Sequence, residues 1–239
     1  MQLLERLLTV KKLQHSTEGS LELPSALYRQ FLSSPFDVMP DFKAPPGFKH
    51  KNGRGKDHPR YGRFIYAFGK HFKPKIVVEV GTYAGGTSVG WARAIAENAT
   101  GKLICVDNDS YSNGTYPEIT TVNIENSGIS HKQYELQNGD AKEIIPQVSE
   151  TYKAEVDIYL VDGDHTYEGA LADLENGLPM MKAGGYILVH DVDRKRKMDE
   201  ATAEHPYPVY EAMMEFVKNH NLQWCILKFI RKHLAVILV

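Results

Sequence analysis

Lys75-Ile-Val-Val-Glu-Val-Gly-Thr-Tyr-Ala-Gly-Gly-Thr-Ser88 is the stretch from which the rest of the chain can be placed. Ile76 to Val80 is a β-branched run interrupted only by Glu79, the pattern of a buried strand in a parallel sheet. Gly81 and the Gly85-Gly86 pair end it, and Val89-Gly-Trp-Ala-Arg-Ala-Ile-Ala-Glu97 continues with helical spacing. Strand, glycine turn and helix form the ligand-cradling unit of a doubly wound α/β sheet. The turn lets a ligand approach the backbone, and the helix start offers free N–H groups.

The turn also discriminates among ligands. A dinucleotide fingerprint requires glycine at its first, third and sixth positions. Here the third is Tyr83, the sixth is Gly86, and Glu79 stands just ahead of Gly81. Glu79 would repel a pyrophosphate, whereas S-adenosylmethionine (SAM) carries a sulfonium and an ammonium. A tight turn that binds nothing is the plain alternative.

Length and composition bound what can surround this unit. The chain has 239 residues, 42% hydrophobic and 24% charged, enough for one sizeable core and an appended segment. A net charge of -2 argues against a general polyanion or nucleic-acid binder. Cys105 and Cys225 each lie in an apolar run and read as buried thiols, so neither a disulfide framework nor a zinc cluster is offered. No apolar run reaches the roughly 18–20 residues that span a bilayer, and the amphipathic start lacks a small-residue cleavage site. A cytoplasmic protein is the expectation.

Residues 1–60 read as a helical extension followed by an irregular basic loop, and residues 61–239 as the ligand-binding domain. Leu3, Leu4, Leu7, Leu8 and Leu13 lie near one helical face, and a second helix follows Pro24. This pair has three open destinations: the core, the substrate mouth, or a second copy of the chain. From Ser33 to Tyr61 prolines, glycines and basic residues replace periodicity. That pattern fits a solvated surface loop or a lid closing over substrate.

Downstream, Lys102-Leu-Ile-Cys-Val-Asp107 is a second strand, and its closing Asp107 suits the two hydroxyls of a ribose. Gln133 to Gln137 is the third strand. Asp140 beyond it is placed either to accept from an adenine amino group or to cap the next helix. Val156 to Val161 is the fourth strand, ending in Asp162-Gly-Asp-His165. The helix from Thr166 to Met181 stops at the glycines of Lys182-Ala-Gly-Gly185. Tyr186 to His190 is the fifth strand, delivering Asp191 and Asp193. After a helix near Pro208 to His220, two strands separated by Ile230-Arg-Lys232 form a C-terminal antiparallel hairpin. The expected fold is therefore a doubly wound, mostly parallel seven-stranded α/β sheet.

Acids close five strands at the sheet edge where ligands of such folds bind. Asp162 and Asp191 end neighbouring strands, and two unpaired carboxylates in a cleft call for a proton or a cation between them. Hard oxygen donors suit Mg²⁺, and the sequence shows no group of thiolates or clustered imidazoles that would favour a softer metal. His165 opens the helix after Asp162, where it serves either as a general base or as a cap of its own helix.

Glu79 to Ser88 resembles the first motif of class I SAM-dependent methyltransferases, in particular the catechol and caffeoyl-CoA O-methyltransferases. Val161-Asp-Gly-Asp-His-Thr-Tyr-Glu-Gly169 followed by Lys182-Ala-Gly-Gly-Tyr-Ile-Leu-Val-His-Asp191 resembles the macrocin/mycinamicin sugar O-methyltransferases and cephalosporin-hydroxylase-like proteins. The resemblance covers about Arg60 to Val239. It implies Glu79, Gly81, Tyr83, Gly85 and Thr87 around the methionine part of SAM, Asp107 on the ribose and Asp140 near the adenine. Asp162 joins that cofactor set. The same resemblance makes Asp162 and Asp191 metal ligands and His165 the base. Val192 departs from the catechol pattern, which has asparagine there, so either a third ligand comes from Asp193 or from an acid in the N-terminal region, or the site is weaker.

The expected activity is Mg²⁺-assisted O-methylation of a small-molecule hydroxyl, on a glycosylated natural product or a phenolic. The rivals are a non-catalytic SAM-binding module, a hydroxylase-like relative and a nicotinamide oxidoreductase.

Overall fold

The structure, a computed structural model, describes residues 2–15, 17–36, 58–110, 116–195 and 199–239. The basic stretch assigned to a lid falls largely at 37–57, outside the described residues. Ahead of the glycine turn come α1 (Gln2–His15), β1 (Thr17–Gly19), α2 (Ser25–Ser33) and α3 (His58–Phe72). The turn itself joins β2 (Ile76–Val80) to α4 (Ser88–Asn98). Then follow β3 (Lys102–Asp107), α5 (Tyr116–Asn126), β4 (Tyr134–Asn138), α6 (Ala141–Thr151) and β5 (Val156–Val161). The chain closes with α7 (Tyr167–Gly177), β6 (Met181–His190), α8 (Pro208–Asn219), β7 (Gln223–Leu227) and β8 (Leu234–Leu238).

Period-two alternation along the strands supplies two apolar faces. Val77, Leu103, Cys105, Ile158, Leu160 and Leu188 point to one side, where Phe64, Phe68, Trp91 and Ile124 cover them. Val78, Ile104, Val106, Tyr159, Val161 and Ile187 point to the other, under Ile145, Leu174, Met213 and Phe216. Both layers are sealed, so the sheet edge at the strand ends is the natural place for a polar ligand.

The strand order is β1-β7-β8-β6-β5-β2-β3-β4. β2, β3, β4, β5 and β6 run parallel, while β7 and β8 add antiparallel pairings, as expected. From β2 the chain first winds outward through β3 and β4, then returns to β5 and β6 on the other side. The switch point therefore lies between the carboxyl ends of β2 and β5.

Two features differ from the sequence expectation. Among the described residues the sheet has eight strands rather than seven, because β1 pairs antiparallel with β7 at the far edge. Thr17-Glu-Gly19 has no strand pattern of its own and becomes one only through the partner it meets. α2 then packs Leu27, Tyr28 and Phe31 into the same core as α3. The second difference concerns Lys182 to Gly185, which lies within β6 instead of ending a helix. α7 stops at Gly177, packed so tightly on the Tyr159 ring that no side chain fits. A short turn, Leu178–Met180, leads into β6. There the register jumps from Val156↔Met181 to Ile158↔Tyr186, so 182–185 bulge out of the ladder. No helix among the described residues is long and apolar enough to cross a membrane.

Candidate active site

A cavity of about 660 Å³ opens at the switch point, lined from both halves of the sheet. Gly81 sits at its floor with φ +82, and a Cβ there would run into the Asp162 carbonyl. That position demands glycine on both counts. Tyr83 also has a positive φ, of 49, and its N–H donates to Asp107 Oδ2 at 2.7 Å. The Asp109 N–H donates to the other oxygen, Oδ1, also at 2.7 Å. Two backbone donors thus fix the Asp107 carboxylate at the cavity wall, with lone pairs left for a pair of hydroxyls.

Asp140 meets the helix-capping expectation. Its carboxylate caps α6, accepting from Lys142 N at 2.9 Å, and it lines the cavity. Gly81, Tyr83, Thr87 and Asp162 line it as well. Glu79 and Gly85 do not. Glu79 is wholly buried behind the turn, where its carboxylate accepts a short hydrogen bond from the Thr87 hydroxyl, and Oε2 has no partner. Burial pushes the Glu79 pKa up to about 8, with the charges of Asp162 and Asp107 adding to it and the nearby Thr87 and Ser88 hydroxyls acting the other way. Gly85 faces Thr120 of α5. These two residues shape the turn from beneath and do not present themselves to a ligand directly.

At the other end of the cavity, β5 and β6 bring Asp162 and Asp191 together. Asp191 takes a left-handed conformation, φ 63, which turns the chain sharply at the end of β6. One oxygen from Asp162, one from Asp191 and a nitrogen from His165 lie within 4.8 Å of one another. His165 Nε2 is 3.6 Å from Asp162 Oδ1 and 3.4 Å from Asp191 Oδ2. Both His165 Nε2 and Asp191 Oδ1 are buried without a hydrogen-bond partner. A divalent cation between the two carboxylates would satisfy the orphaned Asp191 oxygen and leave the adjacent His165 nitrogen free.

Three residues here escaped sequence reasoning. His190, the last residue of β6, places Nδ1 at 3.1 Å from Asp162 Oδ1. Tyr61 of α3 stacks on the His190 ring at 4.2 Å and 13°. Lys232, from the β7–β8 turn, donates to Asp191 Oδ2 at 2.8 Å. The sequence expectation that imidazoles are not clustered is therefore corrected, since His165 and His190 flank the same carboxylate pair. They arrive from different strand ends, and only the parallel pairing of β5 with β6 reveals it. Asp193 does not join this group, and of the acids nearer the N-terminus Asp37, Asp41 and Asp57 lie outside the described residues. Asp193 turns away to accept from Lys195 N and to face His233, and Glu18 pairs with Arg194 and Lys228.

Charges in this cluster hold one another. Burial opposes ionisation of Asp162, but His190 and His165 outweigh it and keep the carboxyl well below the usual range. Burial likewise lowers both imidazoles, yet Asp162 and then Asp191 prevail and raise them above the ordinary histidine value. Burial foremost, then the same acids, lifts the Tyr61 phenol far above its usual pKa.

Residues 78–192, spanning both halves of this site, match a family described as a methyltransferase domain. Just under half of the chain is thus similar to a methyltransferase domain. A catechol O-methyltransferase from Niastella koreensis is 28% identical over 106 residues, which are 44% of this chain and 45% of that protein. The chain thus spans less than half the length of that curated relative. Among solved structures, an O-methyltransferase from Bacillus cereus in complex with S-adenosylhomocysteine (SAH) aligns with a TM-score of 0.61. It is 16% identical, over 92% of each chain. An O-methyltransferase of tomaymycin synthesis from Streptomyces achromogenes, in complex with SAM, aligns with a TM-score of 0.60. It is 17% identical, over 76% of this chain and 80% of that one. At these identities the likeness establishes the class I methyltransferase fold.

Proposed function

We propose that this methyltransferase domain transfers the methyl group of SAM to a hydroxyl of a small molecule, with a divalent cation assisting. The observation that carries this reading is the placement of Asp162, His165 and Asp191 at one end of a cavity whose other end holds the fixed Asp107 carboxylate. Asp107 supplies acceptors for the ribose hydroxyls, and Asp140 an acceptor for the adenine amino group. Acids at the rim favour a cationic donor over a pyrophosphate. The Niastella relative, named for catechol, supports a phenolic acceptor, and the sequence motifs favour a glycosylated one equally.

Transfer is a displacement at the methyl carbon. The acceptor oxygen forms the new C–O bond as the C–S bond breaks, sulfur leaves as neutral SAH, and the hydroxyl proton passes to His165. Asp162 and Asp191 would hold the cation, for which the sequence suggests Mg²⁺. It would supply Lewis-acid polarisation of an oxygen brought to it. His165 must be neutral to take the proton.

Radiolabelled SAM incubated with phenolic and glycosylated acceptors tests this reading. We expect label transfer that EDTA abolishes and added divalent ions restore. Full transfer in chelator would leave the two acids a structural role only, and no transfer to any hydroxyl acceptor would overturn the activity.

A further inference from the structure

His190 is fixed on three sides. Its ring stacks on Tyr61, its Nε2 lies 3.2 Å from the Arg231 carbonyl, and its Nδ1 faces the carboxylates. A carbonyl only accepts, so Nε2 carries the proton in that contact. The neutral ring then presents the Nδ1 lone pair to Asp162 Oδ1 at 3.1 Å and to Asp191 Oδ1 at 3.5 Å. Three lone-pair donors aimed at one another repel unless a proton or a cation lies between them. A single proton on Nδ1 satisfies Asp162 but leaves the buried Asp191 Oδ1 without a partner. A cation satisfies all three. Ligand bonds of about 2.1 Å at right angles separate adjacent donors by about 3 Å, and Nδ1 lies 3.1 Å from one acid oxygen and 3.5 Å from the other. The carbonyl behind Nε2 is the outer partner that orients metal-bound imidazoles and strengthens their basicity.

His165 differs in each respect. Its contacts to the two acids are looser, its Nδ1 lies 3.9 Å from Glu200, and its side chain is 22% exposed against 12% for His190. Its ring lines the same cavity.

We propose that His190 is the third protein ligand of the cation held by Asp162 and Asp191, and that the site selects a first-row transition ion such as Mn²⁺ over Mg²⁺. This rests on the reading of the site as a cation-assisted methyl-transfer centre. An imidazole nitrogen binds such ions well and Mg²⁺ poorly, so two carboxylates with one imidazole tilt the preference. The histidines thereby divide the work, with His190 binding the cation and His165 left free to move the proton.

Pulsed electron paramagnetic resonance on the Mn²⁺-loaded protein tests the assignment without an acceptor. We expect ¹⁴N modulation from a bound imidazole in the wild type and in His165→Gln, and its loss in His190→Gln. Mn²⁺ affinity should fall about 10–100-fold in His190→Gln, and Mg²⁺ should displace Mn²⁺ from the wild type only in at least about ten-fold excess. Wild-type protein labelled with ¹⁵N-histidine shows whether imidazole is bound even if a variant fails to fold. No nitrogen modulation in the wild type, or modulation lost in His165→Gln instead, overturns the proposal. SAH calorimetry on the same samples separates the two readings. SAH binding without nitrogen modulation removes only the His190 assignment, whereas no SAH binding removes the methyltransferase reading itself.

Discussion

Glu79 shows what a single residue gives up to shape a binding turn. It is an acid with no exposed surface, one oxygen on Thr87 and the other unpaired, and its pKa is pushed up to about 8. The folded state keeps a proton that the unfolded chain releases near the ordinary value, so stability must fall as pH rises through that interval. We expect Glu79→Gln to gain on the order of a few kcal/mol over the wild type between pH 5 and pH 8, read from paired thermal melts. A difference independent of pH would mean that Glu79 is ionised in the fold. His165 yields the second residue-scale expectation. His165→Ala should lower kcat about 10²–10⁴-fold, with SAM affinity nearly unchanged. The wild-type rate should also fall on the acid side as His165 protonates, and that limb should vanish in the variant. A near-normal kcat with the same limb would make the histidine structural. Of the residues at the site, those ending strands in acids were legible because an acid after an apolar run stands out. His190 was not, because Ile-Leu-Val-His reads as core until β5 is laid beside β6.

At the scale of the element, the glycine turn is the most exacting piece. Gly81→Ala places a Cβ against the Asp162 carbonyl at a backbone angle that disfavours side chains. The two strand ends must then part. We expect a loss on the order of 2–4 kcal/mol in denaturant unfolding, together with loss of SAM binding. Wild-type stability in that variant would show that the close approach of β2 and β5 is not needed. This turn, β3 and β5 were all readable from sequence, since β-branched runs bounded by glycine and acid carry their own signal. β1 and the β6 bulge were not. Thr17-Glu-Gly19 is a strand only because β7 is beside it, and Lys182 to Gly185 carries the same glycines that end helices. Lys232 was visible merely as a turn residue, and its contact with Asp191 depends on β8 lying next to β6.

For the whole molecule, the order of the strands makes the site. β2 to β4 and β5 to β6 diverge from a common seam, helices cover both faces, and the acids of both halves gather at the carboxyl ends of the strands beside that seam. This architecture was legible because the alternation of apolar strands with helices leaves few topologies open. It fixes where a ligand binds and leaves its identity to the side chains. Calorimetric titration of the full chain with SAM, SAH and NADH tests that identity most directly. We expect SAM and SAH to bind in the micromolar range, about -8 kcal/mol, with NADH far weaker. Asp107→Ala should weaken SAM and SAH by at least about ten-fold, since each lost charge-assisted hydrogen bond is worth roughly 1.5–3 kcal/mol. Tight NADH binding with no heat from SAM, or SAM affinity indifferent to Asp107, would contradict a SAM-dependent methyltransferase.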